Sequence, residues 1–340
     1  MIEAALEYIE RGVTPMPGIP KILVGCCLET MRDIPDQSVH TCVTSPPYFG
    51  LRDYQNEGQI GLETTPDEYV ARLVEVFREV RRVLRDDGTA WLNLGDSYAA
   101  ARGGTHMPAQ TVAGGQGGKG DDTAFRGMGG EKRGSAHRNA GAIGMKHKDL
   151  IGIPWRVAFA LQADGWYLRQ DIIWHKPNPM PESVRDRCTK AHEYMFLLSK
   201  GPRYYFDAEA IKEDAIHKGR VVKATGDGSK NANAGFGSDT KKGFTERNTL
   251  VSEKRNRRSV WTVTAKPYKG AHFATFPPDL IEPCVLAGCP SGGIVLDPFG
   301  GSGTTAGVAI KHGRRAILCE LNPEYANLIP ARVQSIVSQT

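Results

Sequence analysis

The stretch Val43-Thr44-Ser45-Pro46-Pro47-Tyr48 decides where the first buried strand of the chain ends. The apolar-rich run before Ser45 predicts a strand inside a sheet, and the two prolines lack the N–H groups that would continue its ladder. Pro46 also restricts Ser45 to an extended conformation. Backbone carbonyls, a hydroxyl and the flat ring of Tyr48 therefore meet at the carboxyl end of a strand. This combination suits a planar ligand that carries an amino group, although an ordinary proline-rich turn is the alternative.

A second informative stretch runs from Ile294 to Ala306 and predicts a buried strand, a glycine turn and the start of a helix. Its glycines Gly301 and Gly303 fit the pattern G-x-G-x-x-G/A, in which the backbone approaches a nucleotide ligand closely. The next predicted strand ends in Glu320, nineteen residues after Gly301. A carboxylate at that spacing accepts hydrogen bonds from both hydroxyls of a ribose. The glycine pattern alone is a weak match, but this spacing favours a cofactor site.

Together the two stretches resemble the beta class of amino-group DNA methyltransferases. The catalytic signature of that family, [D/N/S]-P-P-[Y/F/W], is matched by Ser45 to Tyr48, and its cofactor signature, F-x-G-x-G, by Phe299 to Gly303. The order of the motifs, catalytic first and cofactor last, is the circularly permuted order of this class. The resemblance extends from about Lys21 to Arg332. It implies an α/β, Rossmann-like methyltransferase fold with a mostly parallel central sheet.

The resemblance also implies an activity: site-specific transfer of a methyl group from S-adenosyl-L-methionine to the exocyclic amine of a base flipped out of double-stranded DNA. The Ser45 side chain and the Pro46 carbonyl would accept hydrogen bonds from the amine, and Tyr48 would stack on the base. The implied catalytic residues are Ser45, Pro46, Pro47 and Tyr48. The implied cofactor-binding residues are Phe276, Asp297, Pro298, Phe299, Gly301, Gly303, Thr304, Thr305, Glu320 and Asn322.

The family resemblance also implies which part of the cofactor each of these residues contacts. Asp297, with Thr304 or Thr305, would hold the methionine end, and the segment that contains Phe276 would pack on it. The glycines of the turn would admit the cofactor, and Glu320 would hold the ribose. The position where the family usually carries an adenine-binding Asp is occupied here by Cys26, so adenine contact from this strand is in question.

The sequence leaves two candidates for the target amine, cytosine N4 and adenine N6. Serine at the first motif position favours cytosine N4, but relatives with serine also methylate adenine N6. Cytosine-C5 chemistry needs a Cys nucleophile after a Pro, and the only such pair, Pro283-Cys284, lies on a predicted helix. A nicotinamide dehydrogenase would use the glycine turn but not Ser-Pro-Pro-Tyr. A non-catalytic DNA-binding protein would need neither motif.

The distribution of charge predicts an insertion. The chain has a net charge of +5, whereas residues 212–258 contain twelve Lys and Arg against six Asp and Glu, a surplus of six. The densest part is Lys254, Arg255, Arg257 and Arg258. A phosphate-binding segment that reads the target is favoured over a solvated surface. We therefore expect a first catalytic part at 1–211, a basic target-recognition insertion at 212–259 and a cofactor-binding part at 260–340.

Residues 101–147 are expected to form a mobile loop. Thirteen glycines lie between Gly103 and Gly144, with hardly any large apolar residues to offset the entropy of ordering. The basic residues of this stretch suit a loop that becomes ordered on nucleic acid. A passive linker is equally compatible with them.

Four further positions carry open alternatives. Arg52 can meet a phosphate or pair with Asp53, and His175 or Lys176 can take part in the target-base pocket or belong to a rigid connection. Asp96 ends a predicted strand and is expected to cap a turn. A helix that starts at Pro66 is expected to end at Asp87-Gly88, giving a β-α-β unit of a parallel sheet.

Composition limits the other possibilities. The seven cysteines have no C-x-x-C spacing, so we expect reduced, mostly buried thiols and no metal site. No apolar run reaches membrane-spanning length, and a cytoplasmic location in a bacterial or phage-infected cell is expected. A homodimer and a cognate restriction endonuclease are further partners that the family resemblance brings into consideration.

Overall fold

The computed structural model of the chain describes residues 18–54, 56–100, 139–216, 221–224, 247–250, 253–265 and 276–339. The chain divides into two compact units, one formed by Met1–Asp207 with Ser259–Thr340 and the other by Ala208–Arg258. The spacing of apolar residues in Ile2–Arg11 also predicts a helix, and this stretch lies outside the described residues. The division falls within four residues of the boundaries expected for the basic insertion, while its role in target recognition stays a prediction.

The larger unit is built on one sheet of eight strands. Their spatial order is β1-β12-β11-β2-β3-β5-β4-β10, and five of the seven neighbouring pairs are parallel. The two antiparallel pairs are those that β5 makes with β3 and with β4. The mostly parallel sheet expected from the sequence is thus confirmed. The strands are β1 (Lys21–Val24), β2 (Val39–Thr44), β3 (Leu84–Leu94), β4 (Tyr167–His175), β5 (His192–Ser199), β10 (Val260–Thr262), β11 (Ile294–Asp297) and β12 (Arg315–Glu320).

Seven α-helices of the described residues surround or follow these strands. Most begin with a proline in the first turn, where its missing N–H costs no hydrogen bond. The sequence also predicts a helix over Pro154–Gln162, and the observed helix confirms it with bounds one residue wider at each end. The helices are α1 (Cys27–Thr30), α2 (Pro66–Val83), α3 (Ile153–Ala163), α4 (Pro278–Gly288), α5 (Thr304–Lys311), α6 (Pro323–Ala326) and α7 (Ile329–Val337).

The crossover helix α2 starts as the sequence predicts but ends earlier. Thr65 and Glu68 form a capping box, and an apolar stripe that includes Tyr69 and Phe77 is buried. The helix gives way to β3 directly after Val83, so the expected end at Asp87-Gly88 is wrong. Leu84 pairs with Val39 of β2 and Thr89 with Thr41, so the residues between bulge out of the ladder. The Asp-Gly turn signal belongs to this bulge within the strand.

Asp96 has the capping role that was expected of it. Its carboxylate accepts hydrogen bonds from the backbone N–H groups of Ser97, Gly152 and Ile153 at 2.9–3.2 Å. Asp96 thereby satisfies otherwise unpaired N–H groups at the start of α3. A structural function accounts for this residue.

The expected loop at 101–147 falls mostly on residues outside the described ranges, but its carboxyl end is packed. Ala140 and Ile143 are buried in the main hydrophobic core. The backbone of Ala140 bonds to Ala100, and that of Lys148 bonds to Ala99. Two buried apolar side chains and these backbone hydrogen bonds hold the described end of the segment against the core, and the mobility expected of 101–147 stays a prediction.

The smaller unit contains two short antiparallel pairs, β6 (Glu213–Asp214) with β9 (Lys254–Arg255), and β7 (Val221–Ala224) with β8 (Arg247–Leu250). Glu213 accepts hydrogen bonds from the guanidinium groups of Arg255 and Arg258 at 2.9 and 2.8 Å. Part of the dense basic run is thus paired within its own unit.

The described ranges contain neither a helix suited to a membrane nor a cluster suited to a metal ion. None of the helices in these ranges has both the length and the apolar composition needed to cross a bilayer. Within the same ranges, no group of three or more His, Cys, Asp or Glu side chains is arranged to hold a metal ion. Five of the seven cysteines are buried, and all seven are free thiols.

We predict that Gly288→Ala destabilises the larger unit. A Cβ at this position would lie 2.7 Å from Oγ1 of Thr41 and 2.8 Å from Oγ1 of Thr89 and Nε1 of Trp91. Overpacking of this kind should lower the free energy of unfolding by about 1–3 kcal/mol, measured by urea denaturation. Gly201→Ala is the matched control, because its added Cβ would come no nearer than 3.9 Å to a neighbour. Equal stability of the two variants would contradict this packing.

Candidate active site

The two sequence motifs line a single cavity of about 280 Å³ at the carboxyl ends of the parallel strands. Strands β2 and β11 are neighbours, so their ends lie at the same edge of the sheet. All predicted site residues except Gly303 line this cavity. They are Ser45, Pro46, Pro47, Tyr48, Phe276, Asp297, Pro298, Phe299, Gly301, Thr304, Thr305, Glu320 and Asn322.

Asp297 connects the three elements that meet beneath the cavity. One carboxylate oxygen accepts from Oγ1 of Thr44 at 2.6 Å and from the N–H of Phe299 at 3.0 Å. The other oxygen accepts from Oγ1 of Thr305 at 2.7 Å. Burial raises the pKa of Asp297 to about 6, against the opposing effect of these donors. The carboxylate therefore ties the end of β2 to the end of β11 and to the first turn of α5.

Glu320 is fixed by backbone donors at the end of β12. Gly301 donates to Oε2 at 2.7 Å, and Asn322 donates to Oε1 at 2.9 Å. Burial raises the pKa of Glu320 to about 7, partly opposed by these donors. Because this value lies above the ordinary 4.5, the group lowers the free energy of unfolding as the pH rises from 4.5 to about 7. A buried carboxylate that costs stability at neutral pH is typical of a binding site.

Gly303 does not line the cavity, and its glycine requirement has another cause. Its φ of +89° lies in the left-handed region, and an added Cβ would approach Cγ2 of Ile329 to 2.7 Å. Gly303 thus allows α5 to pack closely on α7. Gly301, in contrast, lines the cavity with φ +52° and points its N–H at Glu320.

Two buried hydroxyls beside the glycine turn fit a polar ligand. Oγ of Ser302 and Oγ1 of Thr304 are buried and have no hydrogen-bond partner within the described part of the chain. Both residues line the cavity. Because buried polar atoms are normally paired, these hydroxyls suit the charged amino-acid end of a cofactor. Together with the Glu320 carboxylate, they suit the amino-acid end and the ribose of S-adenosylmethionine.

The turn from Ser45 to Tyr48 is held from its outer side. Tyr69 of α2 donates its hydroxyl hydrogen to the Pro47 carbonyl at 2.8 Å, and Tyr69 is fully buried. At Gly61, an added Cβ would lie 3.2 Å from the Tyr48 carbonyl oxygen. The catalytic turn is therefore confined between α2 and the segment around Gly61.

Four residues near Tyr48 complete the cavity wall, and the motifs did not identify three of them. Asn93 is the last residue but one of β3, Trp174 lies near the end of β4 and Glu193 is the second residue of β5. Lys176, one of the two alternatives of the proline-rich segment, forms an ion pair with Glu193. The neighbouring His175 is absent from the cavity lining, and its Nδ1 lies 3.2 Å from Oγ1 of Thr262.

The remaining open positions also fall at the cavity. Arg52 lines it, and the carbonyl of Arg52 accepts a hydrogen bond from Gln59 at 3.1 Å. Cys26 lines it as well, between Gly25 and Cys27. The chain therefore places a thiol and backbone groups at the position where the family resemblance implies a carboxylate.

Comparison with known proteins agrees with this geometry. A family model described as DNA methylase, for N6 and N4 methyltransferases, matches residues 39–330. The type II methyltransferase M.SmaI of Serratia marcescens is 46% identical over 313 residues, covering 92% of this chain and 90% of that protein. M.Cfr9I of Citrobacter freundii, also a type II methyltransferase, is 44% identical over 310 residues, covering 91% and 86%.

Solved structures share the fold at low sequence identity. The cytosine-N4-specific PvuII DNA methyltransferase superposes with a TM-score of 0.56 at 17% identity and covers 96% of both chains. TTHA0409 of Thermus thermophilus, in complex with S-adenosyl-L-methionine, gives a TM-score of 0.55 at 22% identity and covers 95% of this chain and 96% of its own. The Rossmann-like methyltransferase fold is thereby confirmed, and the chain belongs to the N6/N4 DNA methylase family.

Proposed function

We propose that this chain methylates an exocyclic amino group in double-stranded DNA, with S-adenosylmethionine as the methyl donor and cytosine N4 as the favoured target. The observation that carries the proposal is the single cavity that Ser45–Tyr48 shares with Asp297–Ser302 and Glu320. A methyl donor on one wall and a base on the other can meet there without a covalent enzyme intermediate.

Each part of the cofactor has candidate partners in this chain. Glu320 would accept hydrogen bonds from the ribose hydroxyls, because its two oxygens offer more acceptor positions than its backbone donors occupy. Ser302 and Thr304 would bind the amino-acid end with their buried hydroxyls. Bound S-adenosylmethionine supplies a sulfonium methyl group, which is open to attack by a nitrogen lone pair.

The turn at Ser45 prepares the amine for this attack. The lone pair of an exocyclic amine is delocalised into the ring, so the free amine is a poor nucleophile. Hydrogen bonds from its two N–H groups to the Ser45 side chain and the Pro46 carbonyl favour a tetrahedral nitrogen with a localised lone pair. Tyr48 supplies the flat surface on which an extruded base stacks, which offsets part of the cost of unstacking it from the duplex.

The choice between the two target bases rests on the residue at the first position of the catalytic motif. Serine at position 45 favours cytosine N4, and the fold neighbour PvuII methyltransferase is cytosine-N4-specific. Adenine N6 is the second candidate, because both bases present an amine beside a ring acceptor. A non-catalytic DNA-binding function has no use for the cofactor cavity.

The partners follow from the same proposal. The relatives M.SmaI and M.Cfr9I are type II methyltransferases of bacteria. We infer a bacterial cytoplasmic location and a role in restriction and modification, with the unit Ala208–Arg258 reading the target. A homodimer and a paired restriction endonuclease stay predictions.

The first experiment identifies the product. Purified protein is incubated with genomic DNA and tritiated S-adenosylmethionine, and the DNA is then digested to nucleosides for mass analysis. We expect label in the DNA and N4-methyl-2′-deoxycytidine among the nucleosides. N6-methyl-2′-deoxyadenosine would instead identify adenine as the target base, and DNA that stays unlabelled with protein that binds the cofactor would refute the transfer reaction.

We predict that Ser45→Ala removes methyl transfer and preserves cofactor binding. Its hydroxyl lines the cavity at the catalytic turn, whereas the cofactor residues lie on other elements. Loss of one preorganised partner of the reacting group should lower kcat at least about 100-fold. Ser338→Ala, an exposed position at the end of α7, is the matched control. Transfer at the control rate by the Ser45 variant would contradict this assignment.

We predict that cofactor affinity depends on pH near neutrality. The pKa of Glu320 is about 7, and protonation removes an acceptor for the ribose hydroxyls, so affinity should fall as the pH drops through this value. Calorimetric titration with S-adenosylmethionine about one unit above and one unit below this pKa measures the change. Glu320→Gln should bind more weakly at the higher pH and lose most of the dependence.

A second buried carboxylate in the cavity must be told apart from Glu320 in this titration. Asp297 has a pKa of about 6, so any contribution from it appears at the acidic end of the range. An affinity of the unaltered protein that stays constant across the pKa of Glu320 would contradict its role at the ribose.

A further inference from the structure

The ring of Tyr48 is held in one plane by contacts that the catalytic motif does not contain. Its hydroxyl donates to Oε2 of Glu193 at 2.8 Å, and Oδ1 of Asn93 lies at 3.2 Å as a longer second acceptor. Burial first, and then the Glu193 charge, raises the pKa of Tyr48 well above its ordinary value. The hydroxyl therefore keeps its proton and remains a donor throughout the neutral range.

The edge of the same ring lies against the backbone of Gly95, the residue that follows β3. A Cβ added at Gly95 would approach Cε2 of Tyr48 to 2.6 Å and Cδ2 to 3.2 Å, and Cδ of Glu193 to 3.3 Å. Only glycine leaves room for both side chains at this point. The ring is thus confined at its edge by backbone and at its hydroxyl by two acceptors.

Glu193 is itself oriented from the other side of the cavity. Its second oxygen forms an ion pair with Lys176, and both side chains are largely buried, with exposed fractions of 13% and 18%. The Lys176 ammonium lies 4.2 Å from the ring centre of Trp174, a cation–π contact that fixes it further. Asn93 is anchored by its donation to the carbonyl of Tyr194 at 3.0 Å.

We propose that Glu193, held by Lys176, is a positioning residue that sets the plane of the Tyr48 ring before a base arrives. This inference rests on the proposed function, since a fixed ring has value only if a base stacks on it. If the ring were free to rotate about its side-chain bonds, a base could still stack on it and bind. Its amine nitrogen would then be poorly aligned with the methyl group of the donor.

The geometry separates this role from simple packing. Phenylalanine at position 48 keeps the stacking surface and removes only the donor, so DNA binding should persist while the rate of transfer falls. A merely structural hydrogen bond would change the melting temperature and leave kcat alone. The ratio of the effects on kcat and KM therefore distinguishes the two.

The test is a double-mutant cycle with Tyr48→Phe and Glu193→Ala. We expect each single variant to lower kcat about tenfold, as for loss of a hydrogen bond to a charged group, with KM for DNA within about twofold. The double variant should be no slower than the slower single variant, because both changes remove the same contact. Glu193→Gln should recover part of the rate, since its amide oxygen can still accept from Tyr48.

The matched control is Tyr204→Phe, which removes a hydroxyl whose partner is the exposed Arg169. Cofactor binding and melting temperature are measured for every variant with the full chain. Effects that multiply in the double variant, or an unchanged kcat for Tyr48→Phe, would overturn the proposal, the latter whether or not Glu193→Ala folds. If the unaltered protein transfers no methyl group to any DNA, it is the proposed function that fails.

Discussion

The site depends on one buried carboxylate, that of Asp297. Its oxygens receive Thr44 from β2, Thr305 from α5 and the backbone of the glycine turn, so the catalytic and cofactor segments share one anchor. These two segments are separated by 253 residues between Thr44 and Asp297. Strand pairing alone would bring the two segments to one edge of the sheet. Short hydrogen bonds to a common acceptor also fix their positions relative to each other at that edge.

The anchor carries an electrostatic cost that the fold does not remove. Burial raises the pKa of Asp297 to about 6, and the charge of Asp297 contributes to the raised pKa of Glu320. Two carboxylates in one cavity wall destabilise each other as the pH rises, which is the opposite of what selection for stability would favour. Both residues line the cavity, so their cost is consistent with binding.

The sequence predicted the centre of this site for a physical reason. The residues at Ser45 and Asp297 follow predicted buried strands, and parallel strands place their carboxyl ends at one edge. The same logic placed Glu320 beside the glycine turn. Gly303 was assigned to the cofactor because the pattern requires a glycine there, whereas the structure shows that contact with Ile329 makes the same demand. A pattern records that a side chain is excluded without recording which neighbour excludes it.

The residues that sequence reasoning missed lie on the antiparallel part of the sheet. Glu193 is the second residue of β5. Because β5 runs opposite to β3, the amino end of β5 lies at the edge of the sheet where β3 ends, next to Asn93. The rule that ligands bind at the carboxyl ends of parallel strands therefore does not point to Glu193. Asn93 had a readable signal, since a lone amide among Trp91, Leu92 and Leu94 must find a partner inside the fold. That partner includes the hydroxyl of Tyr48, so the buried amide in an apolar strand was the one sequence feature that pointed towards the cluster around the catalytic ring.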